Sequence, residues 1–139
     1  MRFMMVILSN PAQFSSDKPA EVKDKEAFYA MGRYNDELKK AGILLAMDGL
    51  TPPAMGARFT FKGGKAKITD GPFTEAKEVI AGYWMIEVKS KEEAYEWASR
   101  IPCMEDGVVE VRRVVEIADF DQEIQKKFAD SGSKLGNQK

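Results

Sequence analysis

Five polar side chains in this sequence are candidates for chemistry: Asp48, Arg58, Asp70, Tyr83 and Glu87. Asp70 opens the sharpest stretch, Asp70-Gly71-Pro72-Phe73. A carboxylate held at a turn beside a cleft becomes a general base when burial raises its pKa. An aspartate before Gly-Pro also forms an Asx-turn, in which its oxygens bond the local backbone and only shape the chain. Tyr83 and Glu87 share one face of an apolar segment, Asp48 ends another, and Arg58 lies in an alternating run. With Asp70 as base, Arg58 or Tyr83 is placed to hold an oxyanion. Apolar walls with a few convergent polar groups suit a small ligand. Each of these side chains serves equally as an interface hydrogen bond or ion pair. Gly71, Pro72 and Phe73 read as structural turn residues: glycine for unusual φ, proline for its fixed φ, and Phe73 as a core plug.

Much chemistry is excluded by what is missing. The 139 residues include no histidine and one cysteine, Cys103. Ser–His and Cys–His nucleophile pairs are therefore ruled out, with the commonest general base and metal ligand. No carboxylates stand at ligand spacing, so no metal is expected. No glycine-rich phosphate loop or dinucleotide fingerprint is present, so no cofactor is expected. Cys103 follows Pro102 at a helix end, where the dipole disfavours a thiolate, and reads as inert. A formal net charge of -1 gives no electrostatic footprint for nucleic acid. The apolar run Phe3 to Leu8 is too short to cross a membrane, and no cleavage site follows it. With a single cysteine, this predicts a cytoplasmic protein without a membrane partner. No residue set dictates a reaction.

The candidate residues must be positioned by strands and two helices. Arg2 to Ser9 is nearly continuously apolar and predicts a strand buried on both faces. Ala27, Met31, Tyr34, Leu38 and Ala41, with Phe28 beside them, form the stripe of an amphipathic helix ended by Gly42. Ser15, Ser16 and Asp17 are its cap candidates, with Pro19 near the start. Gly32 inside this helix reads as close packing on a sheet. Ile43 to Asp48 predicts a second strand. Arg58 to Lys62 and Lys65 to Thr69 predict a hairpin through Gly63-Gly64. In Val79 to Val88, alternation puts Ile80, Gly82, Trp84, Ile86 and Val88 on one face. Val79, Ala81, Tyr83, Met85 and Glu87 fall on the other. The connector Thr74 to Glu78 reads as solvated charge. Ser90 to Glu93 is a capping box before the stripe Ala94, Trp97, Ala98, Ile101, which Pro102 stops. Val108 to Ile117 predicts the last strand, with Glu110, Arg112, Arg113 and Glu116 suiting an exposed edge. Phe120, Ile124 and Phe128 mark a weak helix, and Ser131 to Lys139 reads as a disordered tail. The expected division is one domain over 1–120 and an extension over 121–139.

Without the hairpin, the order is strand, helix, strand, strand, helix, strand. That is the α+β, ferredoxin-like β-α-β-β-α-β plan with an inserted β-hairpin. Right-handed crossovers give the four main strands the spatial order 4-1-3-2. Both helices then cover one face, while the first strand is apolar on two. The economical cover is a second copy, which predicts a homodimeric α+β barrel with a small-molecule cleft.

The segment DGPFTEAKEVIAGYWMIEVKSKEEAYEWASRIP closely resembles the signature of the YCII-related, or DGPF, proteins. MGRYNDELKKAGILLAMDGLTP and RFTFKGGKAKITDGPF match the same family in order and spacing, so the resemblance covers about Met1 to Phe120. It implies the dimeric barrel. It also suggests a regulatory association, because some relatives are encoded beside, or joined to, extracytoplasmic-function sigma factors. Similar barrels host cofactor-free monooxygenases and lactone isomerases, so the resemblance implies no one reaction. Members often carry a histidine at the position of Thr51, and wider relatives have a histidine and aspartate proposed as a catalytic pair. This chain has no histidine, which puts that mechanism out of reach. Two functions follow as expectations: a dimeric small-molecule-binding or regulatory domain, or a cofactor-free enzyme using Asp70 as acid/base. A protein-interaction module associated with sigma factors is a third.

Overall fold

The apolar run at the N-terminus forms β1 (Arg2–Ser9), the strand on which the others assemble. The structure is a computed structural model and describes residues 1–11, 24–73, 76–103 and 106–131. After β1 come α1 (Lys25–Lys40), β2 (Leu44–Gly49), the hairpin β3 (Ala57–Lys62) and β4 (Lys65–Asp70), β5 (Val79–Glu87), α2 (Lys91–Ser99), β6 (Val108–Arg113) and α3 (Gln122–Ser131). The main sheet is antiparallel in the order β2-β5-β1-β6, which is the predicted 4-1-3-2 read from its other edge. The architecture is α+β and ferredoxin-like, with the hairpin as a separate two-stranded sheet. No helix of the described residues is long and apolar enough to cross a membrane.

One sheet face carries the core. Phe3, Met5, Trp84 and Ile86 meet Tyr34 and Leu38 of α1 and Ala94 of α2, and Met5, Leu38 and Ile86 are fully buried. The ends of α1 are explained by local chemistry. Asp24 is the N-cap and accepts from the Ala27 N–H at 3.1 Å. Gly42 follows the helix at φ 72°, a conformation that favours glycine. Ser15, Ser16, Asp17 and Pro19 lie outside the described residues, as do Thr74 and Glu75 of the connector and 132–139 of the tail. In α2, Ser90 accepts from the Glu93 N–H, while Glu93 accepts from the Lys89 N–H, one residue further back than in the simple capping box.

Four expectations are corrected. Gly32 does not pack on the sheet: it is exposed, and a Cβ there would meet nothing within 4 Å. Of the stripe predicted for α1 only Tyr34 and Leu38 are buried, with Met31 half-buried, while Ala27, Ala41 and the neighbouring Phe28, 60% exposed, face outward. The last strand ends at Arg113, and Ile117–Asp119 forms a 3-10 turn instead. Arg113 grips Asp119 with two hydrogen bonds of 2.9 Å, which draws the chain out of strand geometry. The fourth correction concerns β5. Ile7 pairs with Gly82 but Leu8 pairs with Ile80, so Ala81 is an extra, bulged residue. Directly opposed residues share a face, so the bulge exchanges Val79 and Ile80 between faces. Val79 is 6% exposed and Ile80 52%, the reverse of simple alternation.

The hairpin forms as the two glycines dictate: Gly63 and Gly64 have φ of 59° and 76°. Phe59 lies opposite Ile68 and Phe61 opposite Ala66, so one hairpin face is apolar. Phe59, Phe61 and Ile68 are nonetheless 58%, 78% and 58% exposed.

Candidate functional site

The candidate polar residues divide between the main sheet, which carries Asp48, Tyr83 and Glu87, and the hairpin, which carries Arg58 and Asp70. Strand register puts Asp48, Tyr83, Val6 and Glu110 in one row across the sheet, on the face away from α1 and α2. The Tyr83 hydroxyl donates to Asp48 Oδ2 at 2.9 Å. That hydrogen bond, with the Asp48 charge, raises the Tyr83 pKa. Tyr83 thus presents a neutral phenol whose proton is held by a carboxylate, an arrangement suited to polar recognition. The adjoining row is Ala46, Met85, Met4 and Arg112.

Glu87 is on the same face but four residues from Tyr83, roughly 13 Å at strand rise. It stands opposite Arg2, whose guanidinium turns to Glu116 with hydrogen bonds of 2.9 and 3.2 Å. Arg58 is placed over the Phe73 ring, 4.1 Å from its centroid, a cation–π contact. Asp70 ends β4 opposite Ala57 and is exposed. Its carboxylate makes no hydrogen bond or ion pair among the described residues. The structure therefore joins Asp48 to Tyr83 and Arg58 to Phe73, and it leaves Glu87 distant from Tyr83.

Gly71 is held by its N–H donating to the Gly56 carbonyl at 3.0 Å, and the Gly71–Pro72 peptide is cis. Its φ is not among the positive values, contrary to the expectation of unusual φ. Close approach requires glycine instead: a Cβ would overlap the Pro53 carbonyl.

On the other face, Asn35 joins Tyr34, Trp84 and Trp97, and hydrophobic spacing alone does not single it out. Tyr34 is buried between Trp84 and Trp97, with ring centroids 5.7 and 6.4 Å away, and donates to the Trp97 carbonyl at 2.8 Å. Burial drives its pKa well above the usual tyrosine value. Next to it, Asn35 accepts from Trp84 Nε1–H at 2.8 Å. The signal was present: Met31, Asn35 and Leu38 stand at i, i+4 and i+7, so Asn35 is a polar residue at an apolar position. Around Asn35, between α1 and the sheet, is an open cleft of about 360 Å³. Cys103 stands apart, exposed beyond α2, and partial desolvation of its thiol raises its pKa.

The family model for the YCII-related domain matches residues 1–118. A Rhizobium meliloti (strain 1021) protein, named Uncharacterized protein R00369, is 34% identical over 59 residues. The match takes in 42% of this chain and 48% of that protein, so the chain spans about half the length of this curated relative. The Tyr83–Asp48 pair, the Asn35–Trp84 pair and the hairpin turn all fall inside the span the family model matches. The chain belongs to the family of YCII-related domains.

Proposed function

We propose that this chain is a homodimeric small-molecule-binding domain, with a regulatory rather than a catalytic role, in which two copies close their bare sheet faces on each other. The observation that carries the reading is the composition of that face. Met4, Val6, Leu8, Ala46, Ile80 and Met85 give it an apolar surface, while α1 and α2 lie on the opposite side. Contiguous apolar surface of this kind marks an interface. The hairpin supports the same reading: an isolated two-stranded sheet is at best marginally stable, and Phe59, Phe61 and Ile68 need cover. Within such a dimer the Asp48–Tyr83 pair supplies the polar group that orients a ligand. Association with a sigma factor is part of the proposal and rests on resemblance alone.

Turnover without a cofactor would need a desolvated base on this face. Asp70 is exposed and the Tyr83 proton is engaged by Asp48, so binding is favoured over catalysis. Light scattering at micromolar concentration should give twice the chain mass of 15.6 kDa. A stable monomer would reject the assembly. A thermal-shift screen with small acids, phenols and lactones should find a ligand whose stabilisation falls in Tyr83→Phe. Equal stabilisation of both proteins would remove the Asp48–Tyr83 pair from the site.

A further inference from the structure

We propose that the cleft between α1 and the helix-side face of β2 and β5 is a second binding site, for a small, flat, neutral molecule bearing a hydrogen-bond acceptor such as a carbonyl oxygen. This site lies on the opposite side of the sheet from the dimer face. It is built from one chain and does not depend on the assembly proposed above.

Its floor is a missing layer of side chains. Along β2 and β5 the helix-side rows run Leu44–Ile86, then Met47–Trp84, then Gly49–Gly82. The first two rows fill the space under the helices. The third carries no side chain, and the volume of about 360 Å³ opens there, near the lower end for small-ligand pockets. The two glycines have different reasons. A Cβ on Gly82 would stand 3.0 Å from the Asp48 carbonyl oxygen, so strand packing itself favours glycine. A Cβ on Gly49 would meet nothing within 4 Å. Glycine in a strand weakens it unless something approaches the bare backbone closely, and among the described residues no atom lies within 4 Å of where a Gly49 Cβ would stand.

The walls specify the occupant. Ile7, Met31, Met47 and Trp84 are apolar, and methionine adapts to flat rings. Asn35 supplies one oriented donor. The Trp84 indole can only donate, so the Asn35 atom 2.8 Å from it must be the oxygen. The amide NH2 is thereby turned away from Trp84, and it has no acceptor among the described residues. An acceptor on the ligand completes it. Among the described residues no lysine or arginine lines the cleft, so an anionic ligand would find no counter-charge. A neutral molecule is selected.

Acetophenone is the test probe, with toluene lacking the acceptor and benzoate adding the charge. Binding is followed by tryptophan fluorescence, since Trp84 lines the cleft, and by thermal shift. Acetophenone should perturb the fluorescence and raise the melting temperature, with toluene and benzoate at least about tenfold weaker. Asn35→Asp keeps the acceptor for Trp84 and exchanges the free NH2 for oxygen, so it should weaken acetophenone by about tenfold or more. Gly49→Leu should fill the floor and abolish binding; should it fail to fold, Asn35→Asp decides. No binding to the wild type, or equal affinity for wild type and Asn35→Asp, overturns the proposal. A monomer that still binds acetophenone would reject the dimer alone, and a dimer that does not would reject this cleft alone.

Discussion

The two faces of the main sheet are made from alternate residues of the same strands, yet α1 and α2 cover only one of them. On the helix side, Met47, Trp84, Met5 and Val111 form one row, with Trp84 and Met5 only 3% and 0% exposed. The next row on the far side is Asp48, Tyr83, Val6 and Glu110, buried only at its centre. Its edge strands contribute carboxylates, while its central strands contribute Val6 and the ring of Tyr83. A face meant for water would be polar along its whole width. The difference teaches that the far side is polar at its edges and apolar along its centre, where the proposal places a second copy.

The largest effect belongs to the covered face. Leu38→Ala removes a fully buried side chain and should cost about 2–5 kcal/mol, read from urea unfolding. A loss below about 1 kcal/mol would mean the helix-side core is loosely packed, and the contrast between faces would disappear. The matching change on the far face is Met85→Asp. It should convert the proposed dimer to a monomer by light scattering while far-UV circular dichroism still reports a folded chain. An unchanged mass would show that the interface lies elsewhere.

Much of this contrast is legible in the amino-acid sequence. β1 is apolar at consecutive positions, so it had to be central, and β6 carries charges that belong at an edge. The Gly63-Gly64 turn named its own geometry. What escaped was everything that breaks a period. Val79 to Val88 alternates in either register, and nothing in its composition announces that Ala81 bulges. Likewise Leu45 is skipped between Leu44 and Ala46 in β2. Of the candidate site residues, Asp48 and Tyr83 meet because cross-strand register brings them together, while Glu87 shares their face but stands too far along the strand. Asn35 was missed because its role depends on Trp84, a contact 49 positions away. Gly71 and Gly32 were misjudged for one reason: a glycine's neighbours in space decide whether its missing side chain is needed.

A smaller effect concerns the edge where β1 and the chain after β6 are tied together. Arg2 makes two hydrogen bonds to Glu116 and lowers its pKa from the ordinary glutamate value of 4.5. A depressed pKa in the folded state means stabilisation that is complete above that value. It is lost as pH falls through the folded pKa. Glu116→Gln should therefore be less stable than wild type at neutral pH, and the gap should close on acidification below about 4.5. A gap independent of pH would mean the loss comes from packing. Asp119, held by Arg113, shifts in the same direction and should add to the acid sensitivity of this edge.

The smallest effect tests whether a third surface, the outside of α1, faces water or takes a second copy as proposed for the far face. Gly32 sits inside the helix, exposed, with open space where a Cβ would stand. Its backbone is helical, so alanine is conformationally compatible and reduces the entropy lost on folding. Gly32→Ala should stabilise by about 0.5–1 kcal/mol, or a few degrees in melting temperature. The gain is expected only if this side of α1 meets water in the assembled protein. A second surface packed against Gly32 would turn the gain into a loss, because an added methyl group would then displace a neighbour. A stabilised variant with an unchanged mass in solution assigns the outer side of α1 to solvent and leaves the far sheet face as the proposed place for a second copy. A destabilised one moves the interface onto α1.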